Sequence, residues 1–264
     1  MYNFNYHRPE SIDQAKTLFA DLEDSIYLAG GHTLIPSMKQ RLSAPSDVID
    51  LSAIPALTEI SVDSDVLRIG AMATHDSVAT SSIVSAHCRA ITDLASGIGD
   101  AQVRNRGTIG GSIANNDPAA DYPAAIVGLN ATVHTDQRDL SAGDFFTGMF
   151  ETALQDGEII TAISFPSSSD AAYAKFPNPA SRYATVGVLV AKSNDGVIVA
   201  ITGASSCVFR ASDMEAALEE NFSANSLDSI TLDQDLLLSD MHASAGYREQ
   251  LCKVMAKRAV ESLV

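Results

Sequence analysis

Two glycine-rich turns constrain this chain more than any other feature: Ala29-Gly30-Gly31-His32-Thr33 and Gly107-Thr108-Ile109-Gly110-Gly111-Ser112. Glycine lets a backbone approach a ligand without a Cβ in the way and adopts positive φ at little cost. Consecutive N–H groups in such turns, with a helix N-terminus behind them, form an anion-binding concavity. A glycine pair also makes an ordinary tight turn, so the turns by themselves admit either reading. Neither has the G-x-G-x-x-G spacing of a nicotinamide-type dinucleotide fold, and Gly97-Ile98-Gly99 lacks the third glycine. Arg104 and Arg106 stand just before the second turn, placed either to help hold a phosphate or to form surface ion pairs.

The pattern around the first turn is βαβ-like. A helix follows a capping box at Ser11 and Gln14, a short strand covers 25–29, a second helix covers 33–42 and a further strand begins at Asp47. Strands over 57–62 and 66–72, joined through Asp63-Ser64-Asp65, open a second unit. Val84, Cys88, Ile91 and Leu94 mark a helix, Asp117-Pro118 fits an N-cap and first helical position, and strands over 131–135 and 158–165 complete the unit. A boundary falls at the serine run after Pro166. Beyond it come a hairpin through Asn194-Asp195-Gly196, a capping box at Ser212 and Glu215, and a last helix with Tyr247, Leu251, Met255 and Arg258 on one face.

Composition narrows the function. With 264 residues, 46% of them hydrophobic, the chain has material for one large core or two to three smaller ones. Asp and Glu number 33 against 17 Lys and Arg, a net charge of −16, and no run of basic residues suggests nucleic acid as a partner. Between Arg210 and Arg248 there is no Lys or Arg, which reads as a solvated acidic face or a surface for a basic partner. Cys88, Cys207 and Cys252 have no metal-ligand spacing and read as buried small hydrophobes. No apolar run is long enough to cross a membrane and the first residues lack a secretion signal, so a cytoplasmic protein is expected.

The first turn, extended to Leu34-Ile35-Pro36, and the long segment from Gln102 to Pro123 through Asn105-Arg106-Gly107-Thr108-Ile109-Gly110-Gly111-Ser112 and Asn115-Asn116-Asp117-Pro118 resemble one family. It is the FAD-binding medium subunit of molybdenum hydroxylases, the carbon monoxide dehydrogenase and xanthine dehydrogenase type. Ile69-Gly70-Ala71-Met72, Asp144-Phe145-Phe146 and Pro179-Ala180-Ser181-Arg182-Tyr183-Ala184 extend the resemblance over most of the chain. It implies an α+β architecture: a two-lobed FAD-binding fold of the vanillyl-alcohol-oxidase-like (PCMH) type, followed by a small α/β C-terminal domain. The divisions expected are 1–55, 56–168 and 169–264.

The resemblance also implies site residues. Leu28, Ala29, Gly30, Gly31, His32, Thr33, Leu34 and Ile35 would wrap the FAD diphosphate. Thr108, Gly110, Gly111 and Ser112 would form a second wall, and Asp121 would accept from cofactor hydroxyls, its alternative being a helix cap, a place Asp117 fits better. Ile98 and Ile160 would line the cavity, where their alternative is ordinary core. Tyr183 would cover one face of the flavin ring, and Lys175 would favour negative charge on the reduced flavin. A histidine in a similar turn is bonded covalently to flavin in oxidase branches of the wider fold; the closer resemblance implies noncovalent FAD, with His32 a phosphate-loop residue. Asn116 stands where relatives often carry Ala, a change expected to disturb little. The expected partners are a large subunit with the molybdenum cofactor and a small [2Fe–2S] subunit, in a dimer of heterotrimers. FAD would take electrons from the clusters and pass them to a terminal acceptor. No acid–base residue on this chain is required. The alternatives are a stand-alone FAD oxidase and a noncatalytic assembly module.

Overall fold

The computed structural model describes residues 1–166 and 170–264; the expected boundary at 168 lies outside the described residues. The first unit is a three-stranded parallel sheet in the order Asn5–His7, Asp47–Asp50, Ser25–Leu28, with the βαβ connectivity read from the sequence. Ser11 caps helix Ile12–Asp21 by accepting from the Gln14 N–H, while the Gln14 side chain accepts from Glu10 N–H rather than closing the box on Ser11. The helix after the diglycine turn, Leu34–Lys39, is shorter than expected.

The second unit is a five-stranded antiparallel sheet in the order Ile60–Asp63, Val66–Gly70, Ile160–Phe165, Thr132–Thr135, Asp139–Ser141. Leu57 does not belong to the first of these strands; it ends a 3₁₀ turn, Pro55–Leu57, and is buried. One sheet face, with Leu67, Ile69, Val133 and Ile163, packs against helices in the largest core. The single helix expected through Cys88 is two, Ser82–His87 and Arg89–Ser96, because Cys88 is extended (φ −152°) and turns the chain between them.

Asp117 and Pro118 do not start a helix. Asp117 Oδ1 accepts from Ala119 N–H in a tight turn, and the helix begins four residues later, at Tyr122–Gly128, preceded by Asp121. Every residue of that helix is buried. It is clamped between the second unit and the C-terminal four-stranded sheet (Asp170–Pro177, Ala184–Ser193, Gly196–Thr202, Phe209–Arg210), whose Leu189, Ala191 and Ala200 join the same core. A Cβ on Gly128 would lie 2.4 Å from Leu189, so glycine is what lets helix and sheet meet.

The other face of that sheet packs on helices Ser212–Glu220 and Ala245–Glu261. Ser212 and Glu215 form no capping box: Ser212 is inside the helix, and Glu215 turns inward to accept from Val199 N–H and from Arg210. In the last helix the buried stripe is Arg248, Leu251, Cys252, Met255, Ala256, Ala259 and Val260, which leaves Tyr247 and Arg258 outside. Cys88 and Cys252 are buried as expected, and Cys207 is half-buried.

Candidate functional site

The two glycine turns meet. A Cβ on Gly30 would sit 2.2 Å from the Arg106 carbonyl oxygen and 2.8 Å from the Gly107 Cα, and one on Gly111 would sit 3.2 Å from the Ala29 Cβ. Bare backbone is therefore required where the first and second units touch. Beside this contact a cleft of about 590 Å³ runs between the three units, within the range of small-molecule and cofactor sites.

The turns contribute differently. Gly31 has φ +76°, which reverses the chain after strand Ser25–Leu28. Among the described residues, no N–H from Gly30 to Leu34 is bonded to another part of the chain, so this row of donors is available to a ligand. In the second turn the donors are largely consumed: Ile109 N–H goes to Ala73 O, Gly110 N–H to Ala71 O, and Gly111 N–H to the capping Thr108 Oγ1. That turn acts as an anchored wall, offering side chains such as Ser112 rather than a second amide cradle.

Leu28, Ala29, Gly30, Gly31, His32, Thr33 and Leu34 all line the cleft, as do Ile98, Thr108, Gly110, Gly111, Ser112, Asp121, Ile160 and Tyr183. Two residues expected there do not. Ile35 faces away, packed with Leu28, Met38 and Val48, because it lies one residue into the helix and on its inner side. Lys175 lies beneath the wall, its ammonium bonded to Asp121 Oδ2 (2.9 Å) and Gly97 O (3.1 Å). Arg104 and Arg106 are also outside the lining: Arg104 donates to the Ile98 and Gly99 carbonyls, and the Arg106 side chain is exposed.

Asp121 is a buried node. Besides Lys175 it accepts from the Tyr173 hydroxyl at 2.5 Å, and Gly187 makes room for that hydroxyl. Burial pushes its carboxyl up, against the pull of Lys175 and Tyr173. Burial pushes the Tyr173 hydroxyl up as well, reinforced by Asp121. Tyr183 is held at the cleft mouth by the turn 178–183: Asn178 Oδ1 accepts from Ala180 and Ser181 N–H, and Asn178 N–H donates to Tyr183 O. That turn is docked on the second unit by Ala184 N–H to Ala119 O and by Arg182 to Gly99 O.

Several lining residues were not among those the sequence assigned to the site. His75 is 5% exposed, touches Gly107 with its ring, donates its own N–H to Gly107 O, and has a buried Nδ1 with no partner. Burial, with His32 and Arg104 nearby, pushes it down to about 4, so the imidazole is neutral at ordinary pH. Glu158 reaches the cleft from below. Burial pushes it up, but Arg138, Gln155 N–H and Thr135 outweigh that and bring it down to about 2. Tyr27 stacks on Phe19, and burial pushes its hydroxyl up to about 12. All three are placed by residues distant in sequence, which local patterns do not show.

Family models describe the same chain in two pieces: "FAD binding domain in molybdopterin dehydrogenase" matches residues 2–168, and "CO dehydrogenase flavoprotein C-terminal domain" matches residues 171–263. The nicotine 6-hydroxylase medium subunit of Paenarthrobacter nicotinovorans is 34% identical over 272 residues, covering 97% of this chain and 95% of that one. The carbon monoxide dehydrogenase medium chain of Afipia carboxidovorans is 34% identical over 280 residues, covering 98% and 96%. Among solved structures, a Cu,Mo-CO dehydrogenase chain superposes with a TM-score of 0.90 at 34% identity, covering 98% of this chain and 96% of that one. The chain belongs to the family of FAD-binding medium subunits of carbon monoxide dehydrogenase and xanthine dehydrogenase type. It is an oxidoreductase chain, and its cofactor is FAD. The cleft fits that group: an unbonded row of amides suits a diphosphate, and only glycine permits the close approach of the two turns.

Proposed function

We propose that this chain is the electron-transfer subunit of a heterotrimeric molybdenum hydroxylase. A large subunit with the molybdenum cofactor oxidises substrate, a small [2Fe–2S] subunit relays electrons, and this chain's FAD delivers them to a terminal acceptor. The assembly is a dimer of such heterotrimers in the cytoplasm, a setting that suits three free thiols. The divisions 1–55, 56–168 and 169–264 correspond to the two FAD-binding lobes and the C-terminal domain. The observation that carries this reading is the meeting of Gly30 with Gly107 beside a row of free amides.

When bound, FAD would supply the redox chemistry, collecting two electrons for the terminal acceptor; the residues of this chain would bind and orient it. The amides from Gly30 to Leu34 hold the diphosphate, with Thr33 and His32 at its edge. Thr108, Gly110, Gly111 and Ser112 would close the opposite wall, Ile98 and Ile160 would give apolar contact, and Tyr183, at the mouth of the cleft, would cover the ring. Asp121 would accept from cofactor hydroxyls with the capacity that Tyr173 and Lys175 leave. Lys175 acts through Asp121, neutralising it, rather than on the flavin directly.

The test is purification of the complex from its native host, with flavin, molybdenum and iron measured on the same sample. The reading requires all three, in fixed ratio with this chain. Flavin reduced by a small alcohol when the chain is purified alone would identify a self-sufficient oxidase instead. A chain that stays colourless after incubation with FAD would identify an assembly module.

A further inference from the structure

The sequence has no run of basic residues, yet the fold gathers several at one edge. The N-terminal segment lies along helix Leu34–Lys39, with Phe4 packed among Leu34, Ile35 and Met38. Its neighbours on that edge point outward: Tyr2 is 54% exposed, Tyr6 55% and Leu42 78%. Arg41, with φ +62°, places its guanidinium over the Tyr2 ring, 5.1 Å from the centroid. At the other end Arg8 and Arg106 both act on the Tyr6 hydroxyl. Arg8, Lys39, Arg41 and Arg106 are all exposed, and none has a carboxylate partner among the described residues. Two of the acidic groups here are withdrawn: Asp47 and Asp50, on the strand paired with Asn5–His7, are buried and accept from Asn5, His7, Tyr6 and Ser52, while Glu10 and Asp24 stay exposed at the two ends. Strand Asn5–His7 is also the outer strand of its sheet, paired only with Asp47–Asp50.

An exposed aromatic centre, a rim of one charge sign and an open strand edge are the makings of a protein interface. The charge specifies the occupant. On a molecule of net charge −16, Arg8, Arg41 and Arg106 beside Tyr2 and Tyr6, with exposed Lys39 at the end of the adjoining helix, attract a surface bearing carboxylates. An anionic membrane fits less well, because the rest of the chain would be repelled and the edge is a strand with short loops rather than an amphipathic helix. We propose that this N-terminal edge docks an acidic, carboxylate-bearing face of another subunit of the complex. The inference rests on the multi-subunit reading above and identifies where that subunit sits.

The test uses the native complex and a carbodiimide, which joins an amine to a carboxylate in direct contact. A link from Lys39 to an Asp or Glu of a different subunit is the expected product. In the complex carrying Arg8→Glu and Arg41→Glu, the partner should dissociate at lower salt, with affinity weaker by about tenfold or more, while flavin absorbance per chain is unchanged. Links from Lys39 only to the acidic stretch 213–240 of a second copy would overturn the proposal in favour of self-association. So would an unaltered salt profile in the variant, or co-sedimentation of the isolated chain with phosphatidylserine vesicles that the two substitutions abolish. If no other subunit accompanies the wild-type chain, the multi-subunit reading itself fails; if one does but Lys39 is unlinked, only the docking site fails.

Discussion

At the scale of single residues, the site depends on what is missing as much as on what is present. Gly30→Ala drives a methyl group into the Arg106 carbonyl, and overpacking of that kind costs about 1–3 kcal/mol. FAD affinity should fall about ten- to hundredfold, read by flavin fluorescence on titration, whereas Gly97→Ala, whose nearest contact would be 3.4 Å, should leave it unchanged. Gly111 is a less clean probe, since a side chain there also meets Thr108 Oγ1 at 2.9 Å and disturbs the helix cap. His75 gives a pH signature. Its folded pKa, near 4, lies below the unfolded value, so the unfolded state binds the extra proton first as pH falls. The stability present above about pH 6.5 should decline down to about pH 4, by about 3 kcal/mol in total. His75→Gln should flatten this part of the denaturant-midpoint profile; an equal slope in both proteins would show that His75 is not the group responsible.

At the scale of elements, helix Ile109–Asn115 shows how one side chain secures a wall of the cleft. Asn116 ends it with φ +42°, and its Nδ2 donates to the carbonyls of Gly148 and Glu151 in the facing hairpin. The expectation that an Asn here matters little is corrected by this burial and bonding: polarity next to a loop gave no hint that the side chain bridges to residues more than thirty positions away. Asn116→Ala loses both bonds and keeps the left-handed backbone, at a cost of about 2–3 kcal/mol. Thermal unfolding should shift down by about 5–10 °C, and a shift within error of zero would mean that the hairpin holds without it. The elements best anticipated were those with strong local signals, such as the Asn194-Asp195-Gly196 hairpin and the strands beside it. Those misread, at Cys88, Asp117-Pro118 and Ser212, had plausible local chemistry overruled by packing.

For the whole molecule, the C-terminal domain is part of the main core. Leu189 and Ala200 pack on helix Tyr122–Gly128, and Thr202 Oγ1 donates to the carbonyls of Pro118 and Ala120 beside the cleft. Arg248 fixes the same corner from the far side, donating to Thr185 O and Gly203 O and pairing with Asp240. A fragment ending at residue 166 should therefore expose one side of a wholly apolar helix, bind a hydrophobic dye and lose cooperative unfolding. A fragment that unfolds as sharply as the full chain and retains FAD would show that the two FAD-binding lobes are independent of the tail.

Where the backbone can come close to a ligand is legible in the chain, because glycine alone removes the Cβ, and the motifs around those glycines are specific enough to indicate family and cofactor. The chain also fixed the alternation of helix and strand wherever apolar periodicity was strong. Folding alone reveals that the first turn keeps its amides free while the second uses them for anchoring, that Lys175 pairs with Asp121 beneath the wall, and that scattered arginines share an edge. Those outcomes depend on partners tens of residues away, and burial and hydrogen bonding between such partners leave no periodic or local trace in the chain.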